Sequence, residues 1–157
     1  MTTKILFVCL GNICRSPTAE AIFRARANEL DVECDSAGTG GWHIGNSPDP
    51  RSIAAGQAHG YDLTPLRARK VLPADFHQFD LIIAMDKDNL CDLEAMAPAG
   101  SRASVALMRD FASGPRGRDV PDPYYGNDGF ELVIAQLEEA IDGLIATFRR
   151  DMREAGE

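Results

Sequence analysis

No stretch of this sequence is apolar for anything near the ~18 residues that a membrane-spanning helix needs, so a membrane partner is not expected. The first apolar run, Ile5 to Leu10, stops at Gly11. It is too short for the core of a secretory signal, and the expected location is the cytoplasm. Positive charge is also short: 16 Lys and Arg stand against 24 Asp and Glu, a net charge of −8. Nucleic acid and membrane surfaces both call for a basic face, so neither is an expected partner. One local cationic site can still hold an anion inside an acidic protein. Cysteine is sparse. Cys9, Cys14, Cys34 and Cys91 are too few for a disulfide scaffold in 157 residues, and in a reducing compartment they should be thiols. Cys9 and Cys14 form C-x4-C, which is neither the redox C-x-x-C pair nor half of a zinc site with a matching second half. No metal and no other cofactor is expected.

What the chain does have suits one domain with a real core: 45% hydrophobic and 25% charged residues. "KILFVCL" (4–10) is a continuous apolar run and reads as a buried parallel strand. Ser16 is a candidate helix cap and Pro17 fits a first turn, after which Ala19, Ile22, Phe23, Ala27 and Leu30 recur at helical spacing. "VECDSAG" (32–38) reads as a more polar strand nearer an edge. A helix of about ten residues runs to His59, with Gly60 as its stop. "DLIIAM" (80–85) and "ASVALM" (103–108) read as two further strands, separated by a helix over 87–97. The last helix, Phe130 to Met152, is expected to bury Leu132, Ile134, Leu137, Ile141, Leu144, Ile145 and Phe148 on one face. Strands alternating with helices predict an α/β fold with a mainly parallel sheet. Ligands of such folds sit beyond the carboxyl ends of strands, which is where Cys9 falls.

The stretch "FVCLGNICRSPTAEA" (7–21) carries the strongest chemical signal. A short loop from a strand into a helix start can aim successive backbone N–H groups at one point. That makes an anion nest, which the helix N-terminus reinforces. Gly11 permits a close backbone approach, and Arg15 adds a planar fork that matches two phosphate oxygens. Cations and helix N-termini also stabilise a thiolate, so Cys9 reads as a nucleophile lying under a bound phosphate. The plainer alternative is a small buried hydrophobe at a strand end. A nucleotide-binding loop is the nearest other pattern, but its G-K-[ST] ending is missing.

Phosphate transfer needs a proton donor for the leaving oxygen, and "VPDPYYG" (120–126) offers one. Asp122 stands between two prolines in a loop that should emerge at the same end of the sheet as Cys9. Ordinary Asp-Pro turn chemistry is the competing explanation. Tyr124 and Tyr125 could wall a pocket for an aromatic ring, with Trp42, the one tryptophan, opposite. Packing that pins the loops is the alternative for these three.

"VCLGNICRSPTAEA" together with "DPYYG" closely resembles the low molecular weight protein tyrosine phosphatases. "DSAGT" (35–39), "IGNSPDPR" (44–51), "AMDKDNL" (84–90) and "DPYYGND" (122–128) resemble further segments of that family, in order and at similar spacing. The resemblance covers nearly the whole chain, so 1–157 is expected to be one such domain. It implies a three-layer sandwich: a four-stranded parallel sheet with helices on both faces. It implies Cys9 as nucleophile, Arg15 as phosphate clamp and Asp122 as general acid and then general base. The phosphate would lie against the loop Leu10, Gly11, Asn12, Ile13, Cys14 and Arg15. Asn12, Ser16 and Ser36 would support that loop, and Trp42, Tyr124 and Tyr125 would line the substrate cleft. Cys14 would be a redox partner for the nucleophile. The implied substrate is a phosphotyrosine-containing protein, a bacterial-type tyrosine kinase among the candidates, with inorganic phosphate as product.

The chain departs from the family at Leu66, where many members carry histidine, and His43 stands in a loop that varies between members. Three other readings remain at this point. A thiol-dependent arsenate reductase on the same fold needs a close downstream cysteine pair, and here Cys91 is alone. A phosphoarginine phosphatase of the same family tends to carry threonine where this chain has Ile13. A phosphate-binding or redox-sensing module would need Arg15 but neither Cys9 nor Asp122.

Overall fold

The computed structural model describes residues 2–126 and 128–155. Its first strand, β1 (Thr3–Cys9), is the hub. β1 pairs in parallel with β2 (Val32–Gly38) on one side and β3 (Leu81–Ala84) on the other, and β3 pairs with β4 (Ser104–Leu107). The order β2-β1-β3-β4 makes a four-stranded parallel sheet, with the polar β2 at an edge as its composition suggests. β1 needs its long apolar run because both of its faces are covered. Ile5, Phe7 and Cys9 point into one core with residues of α1 (Arg15–Arg26) and α5 (Phe130–Ala155), while α2 (Pro50–Ala58) packs at its margin. Leu6 and Val8 alternate into the opposite core with Phe76 of α3 (Asp75–Gln78) and Leu93 of α4 (Lys87–Met96). Helices therefore lie on both faces of the sheet, giving three layers.

Two details differ from expectation. Leu132 is exposed and Val133 is buried in its place. At 3.6 residues per turn, position 133 lies one turn before Leu137 on the buried stripe, whereas 132 points well away from Ile134. Ser16 does not cap α1. The helix starts two residues earlier, at Arg15, with Cys14 at the cap position and no side-chain cap bond. The Ser16 hydroxyl is engaged with the cysteine, as described below.

The chain leaves β1, fills β2 on one side, then crosses to β3 on the other. The switch between these directions falls at the carboxyl end of β1, the place where open α/β sheets bind ligands. The loop after β4, through a short 3-10 helix (Met108–Phe111), brings residues 120–126 to the same end. Val120 is fixed there by its N–H donating to the Met85 carbonyl at 2.8 Å.

Candidate active site

The loop from Leu10 to Cys14 is shaped from both sides. Asn12 adopts φ 57°, a left-handed conformation that asparagine tolerates better than most residues. Its side chain anchors the turn three times. Nδ2 donates to Ser16 Oγ at 2.7 Å and to Ser36 Oγ at 3.0 Å, and Oδ1 accepts from the Arg69 N–H at 3.0 Å. Below the loop, a Cβ on Gly38 would lie 2.7 Å from the Leu10 carbonyl oxygen, so only glycine lets the loop backbone come this close. Among the described residues, the N–H groups of Gly11, Asn12, Ile13 and Cys14 donate to no protein acceptor. Four consecutive amides at a helix start are thus unclaimed.

The Cys9 side chain is buried, with Sγ 3.0 Å from Ser16 Oγ. The direction of that bond follows from the neighbouring protons. Ser16 Oγ already accepts from Asn12, so its own hydrogen goes to the sulfur at 3.0 Å or to the Ala37 carbonyl at 3.4 Å, and the sulfur is the nearer acceptor. Ser36 gives its hydrogen to Glu20 Oε1 at 2.6 Å. A chain of polar groups, Glu20, Ser36, Asn12, Ser16, Cys9, therefore ends with a donor on the thiol sulfur. Burial raises the Glu20 pKa, against the bond from Ser36 and the charge of Arg24.

Arg15 is 2% exposed. Its Nη1 donates to Asp86 Oδ2 at 2.6 Å and to the Val120 carbonyl at 2.9 Å, and Nη2 lies 3.5 Å from Asp122 Oδ2. Burial works against the charge, but Cys9, Asp86 and Asp122 outweigh it and hold the guanidinium's pKa above its ordinary value. Arg15 stays protonated across the pH range in which proteins fold. Asp122 Oδ1 accepts from the Tyr124 N–H at 3.0 Å, which orients the carboxyl group.

These groups meet in one cleft of about 350 Å³, a size common for small-molecule pockets. Cys9, Leu10, Gly11, Ile13, Cys14, Arg15 and Asp122 line its depth, and Trp42, His43, Tyr124 and Tyr125 line its mouth. Trp42 is 71% exposed and Tyr125 81%, yet neither is loose. The indole lies against Gly40, where any Cβ would overlap it at 1.8 Å, and the two tyrosine rings meet edge to face at 5.1 Å. The His43 ring lies tilted at 55° to that of Tyr124, with centroids 6.1 Å apart. Among the described residues, no three His, Cys, Asp or Glu side chains are grouped to hold a metal ion.

A model of the low molecular weight phosphotyrosine protein phosphatases matches residues 4–154. The chain belongs to that family. It is 46% identical to the low molecular weight protein-tyrosine-phosphatase of Streptomyces coelicolor, over 97% of both chains. It is 45% identical to low molecular weight phosphotyrosine protein phosphatase 1 of Drosophila melanogaster, over 87% of this chain and 90% of that protein. A crystal structure of the Entamoeba histolytica protein tyrosine phosphatase with Hepes in the active site superposes with TM-score 0.88 at 40% identity, covering 96% of this chain and 99% of that one. The chain is thus a protein-tyrosine phosphatase, a hydrolase.

Every site residue expected from the sequence of this phosphatase falls in or directly behind the cleft. Asn12, Ser16 and Ser36 are the ones behind it. Sequence reading missed three others. Asp86 caps α4 by accepting from the Asn89 N–H at 2.7 Å, and its other oxygen holds Arg15. Glu20 terminates the polar chain behind the loop. Arg51 reaches the Asp122 loop. Asp86 and Arg51 lie inside "AMDKDNL" and "IGNSPDPR", so the segments were noticed while the roles were not. Asp86→Ala should leave the buried Arg15 with one fewer partner and free to shift. We expect the turnover of an aryl phosphate to fall about 10²-fold, the loss typical of an ångström-scale misplacement. Wild-type turnover in this variant would mean that Asp86 only caps α4.

Proposed function

We propose that this chain, as one domain over 1–157, hydrolyses phosphotyrosine in proteins, and simpler aryl phosphates, through a phosphocysteine on Cys9. What supports the reading is one arrangement. Cys9, Arg15 and the loop that carries the unclaimed amides line a common cleft, and the Asp122 carboxyl group stands 3.5 Å from the Arg15 guanidinium.

In the first step the Cys9 thiolate attacks phosphorus in line. The P–S bond forms as the bond from phosphorus to the phenol oxygen breaks, and Asp122 gives its proton to that oxygen. In the second step Asp122, now a carboxylate, takes a proton from water while the water oxygen attacks phosphorus. The P–S bond breaks, inorganic phosphate forms and the thiolate is restored. The Ser16 hydroxyl stabilises the sulfur whenever it is anionic. Loop amides and Arg15 take the charge on the three equatorial oxygens, which is where most of the stabilisation is needed in a loose transition state. Trp42, Tyr124 and Tyr125 flank the phenyl ring. No step uses a cofactor.

The partners in this proposal are phosphotyrosine proteins, a bacterial-type tyrosine kinase among them. A cytoplasmic location belongs to the same proposal, because a nucleophilic thiol needs a reducing compartment. Ile13, where phosphoarginine phosphatases tend to carry threonine, favours the phosphotyrosine reading.

Cys9→Ser tests the nucleophile. Hydrolysis of phosphotyrosine should vanish while inorganic phosphate still binds, because the amides and Arg15 remain. Turnover of phenyl phosphate within about tenfold of wild type, roughly 1.4 kcal/mol of barrier, would refute the proposal.

Cys14 is the proposed redox partner of Cys9. Burial pushes its thiol pKa up to about 12, although Ser52 donates to it. Peroxide should oxidise Cys9 to the sulfenic acid. The Cys14 sulfur then displaces the hydroxyl, forming the disulfide and releasing water. Because Cys14 is protonated at neutral pH, closure should be slow there. It should accelerate about tenfold per pH unit as the thiolate fraction grows. Peptide mapping after mild peroxide should find Cys9 joined to Cys14, increasingly so from about pH 7 to about pH 9. Cys9 joined to Cys34 or Cys91, or closure independent of pH, would contradict this.

A further inference from the structure

The segment from Pro121 to Gly126 has little to hold it. Pro121 and Pro123 have no N–H, and the N–H groups of Tyr124 and Gly126 are used within the segment, on Asp122 Oδ1 and the Pro123 carbonyl. Among the described residues, Arg51 is the one side chain from outside that donates to its backbone. Nη2 donates to the Tyr124 carbonyl at 2.9 Å, and Nη1 donates to the Gly126 carbonyl. The guanidinium itself is fixed. Asp49, 8% exposed, accepts from Nε at 3.0 Å and from Nη2 at 2.9 Å, and the group lies 4.8 Å from the centre of the Phe130 ring. Asp49 is in turn tied to the phosphate-binding loop, its N–H donating to the Ile13 carbonyl at 2.8 Å.

We propose that Arg51 is the positioning residue for the general acid, a bracket that sets where the Asp122 carboxyl group stands relative to the phosphate loop. The proposal rests on the reading of Asp122 as the acid. The path is short. Arg51 holds the carbonyl of Tyr124, and the N–H of that same residue orients Asp122 Oδ1. Arg51 does not line the cleft; its guanidinium lies 5.8 Å from the centre of the Tyr124 ring, so it reaches the site through Asp122 and through that ring, and only the path through Asp122 changes the dependence on leaving-group pKa. The guanidinium is suited to the task because one planar group serves two carbonyls and a carboxylate together, which an ammonium cannot do.

The experiment measures phenol release in a single turnover across aryl phosphates whose phenols rise in pKa, for wild type, Asp122→Asn, Arg51→Met and the double variant. Met keeps the packing on Phe130 and removes all the donors. Asp122→Asn should steepen the dependence on leaving-group pKa. Arg51→Met should steepen it as well, with about a tenfold loss for a phenol like tyrosine and little loss for the most acidic phenols. Inhibition by inorganic phosphate should stay within about twofold of wild type, and the double variant should be no slower than Asp122→Asn alone. Arg51→Lys, which keeps the charge and stem, should fall on the steep side too and replaces Arg51→Met if that variant unfolds. A wild-type slope in the Arg51 variants beside a steep one in Asp122→Asn would overturn the proposal and leave the acid in place. So would a loss of phosphate affinity with no change of slope, which would assign Arg51 to the phosphate loop through Asp49. A wild-type slope in Asp122→Asn itself would remove the acid and the proposal together.

Discussion

A cation almost wholly withdrawn from water governs the layout of this molecule. The Arg15 guanidinium is 2% exposed, and a buried charge is tolerable only when paired and hydrogen-bonded. Its partners come from two places far from it in sequence. Asp86 follows β3, 71 residues away, the Val120 carbonyl lies 105 residues away, and Asp122 stands just beyond it. To satisfy one arginine, the ends of β1 and β3 and the loop after β4 must converge. A parallel sheet with β1 and β3 adjacent brings them to one edge. The same convergence places a thiol, a cationic clamp and a carboxyl group around one cleft. In the proposed mechanism stability and catalysis therefore pull on the same residues, and an acidic chain gains one local cationic site.

The two sides of the cleft are held differently. The loop from Leu10 to Cys14 is fixed on its inner side by Asn12, Ser16, Ser36 and Glu20, all buried, and by the glycine at 38 that lets it sit low. The segment carrying Asp122 lies nearer the surface and depends on Val120 at its start and Arg51 near its end. This asymmetry suits the proposed chemistry. The anion-binding amides must be in place before substrate arrives, whereas the acid must serve a leaving phenol and then a water.

Much of this was legible before the structure. β1 was clear because a strand covered on both faces leaves a continuous apolar run, and Cys9 at its end with Arg15 in the helix start marked an anion loop. Asp122 stood out as a candidate because its prolines and tyrosines set it apart, and the structure places it in the same cleft. The supporting groups were less visible. Ser16 looked like a cap, since a serine before Pro17 is what a cap looks like locally, and nothing local says that its hydroxyl is needed by a sulfur. Asp86 does cap a helix, and that local role hid the distant one. Arg51 sits in the first turn of α2, where its contacts to Tyr124 and Gly126 depend on tertiary packing alone. Leu132 was misplaced because its apolar side chain was weighed above its spacing, which puts position 133, one turn before Leu137, on the buried stripe.

The most direct test is to catch the intermediate. Mixing enzyme with excess aryl phosphate, quenching within one turnover and mapping the peptides by mass should find one phosphoryl group, on the sulfur of Cys9. With a strongly acidic phenol, which leaves with little help, it should accumulate further in Asp122→Asn, because there the attack of water is the step that slows. A quenched enzyme that releases phenol in a burst yet carries no phosphoryl group, or carries it on a residue other than Cys9, would contradict the account.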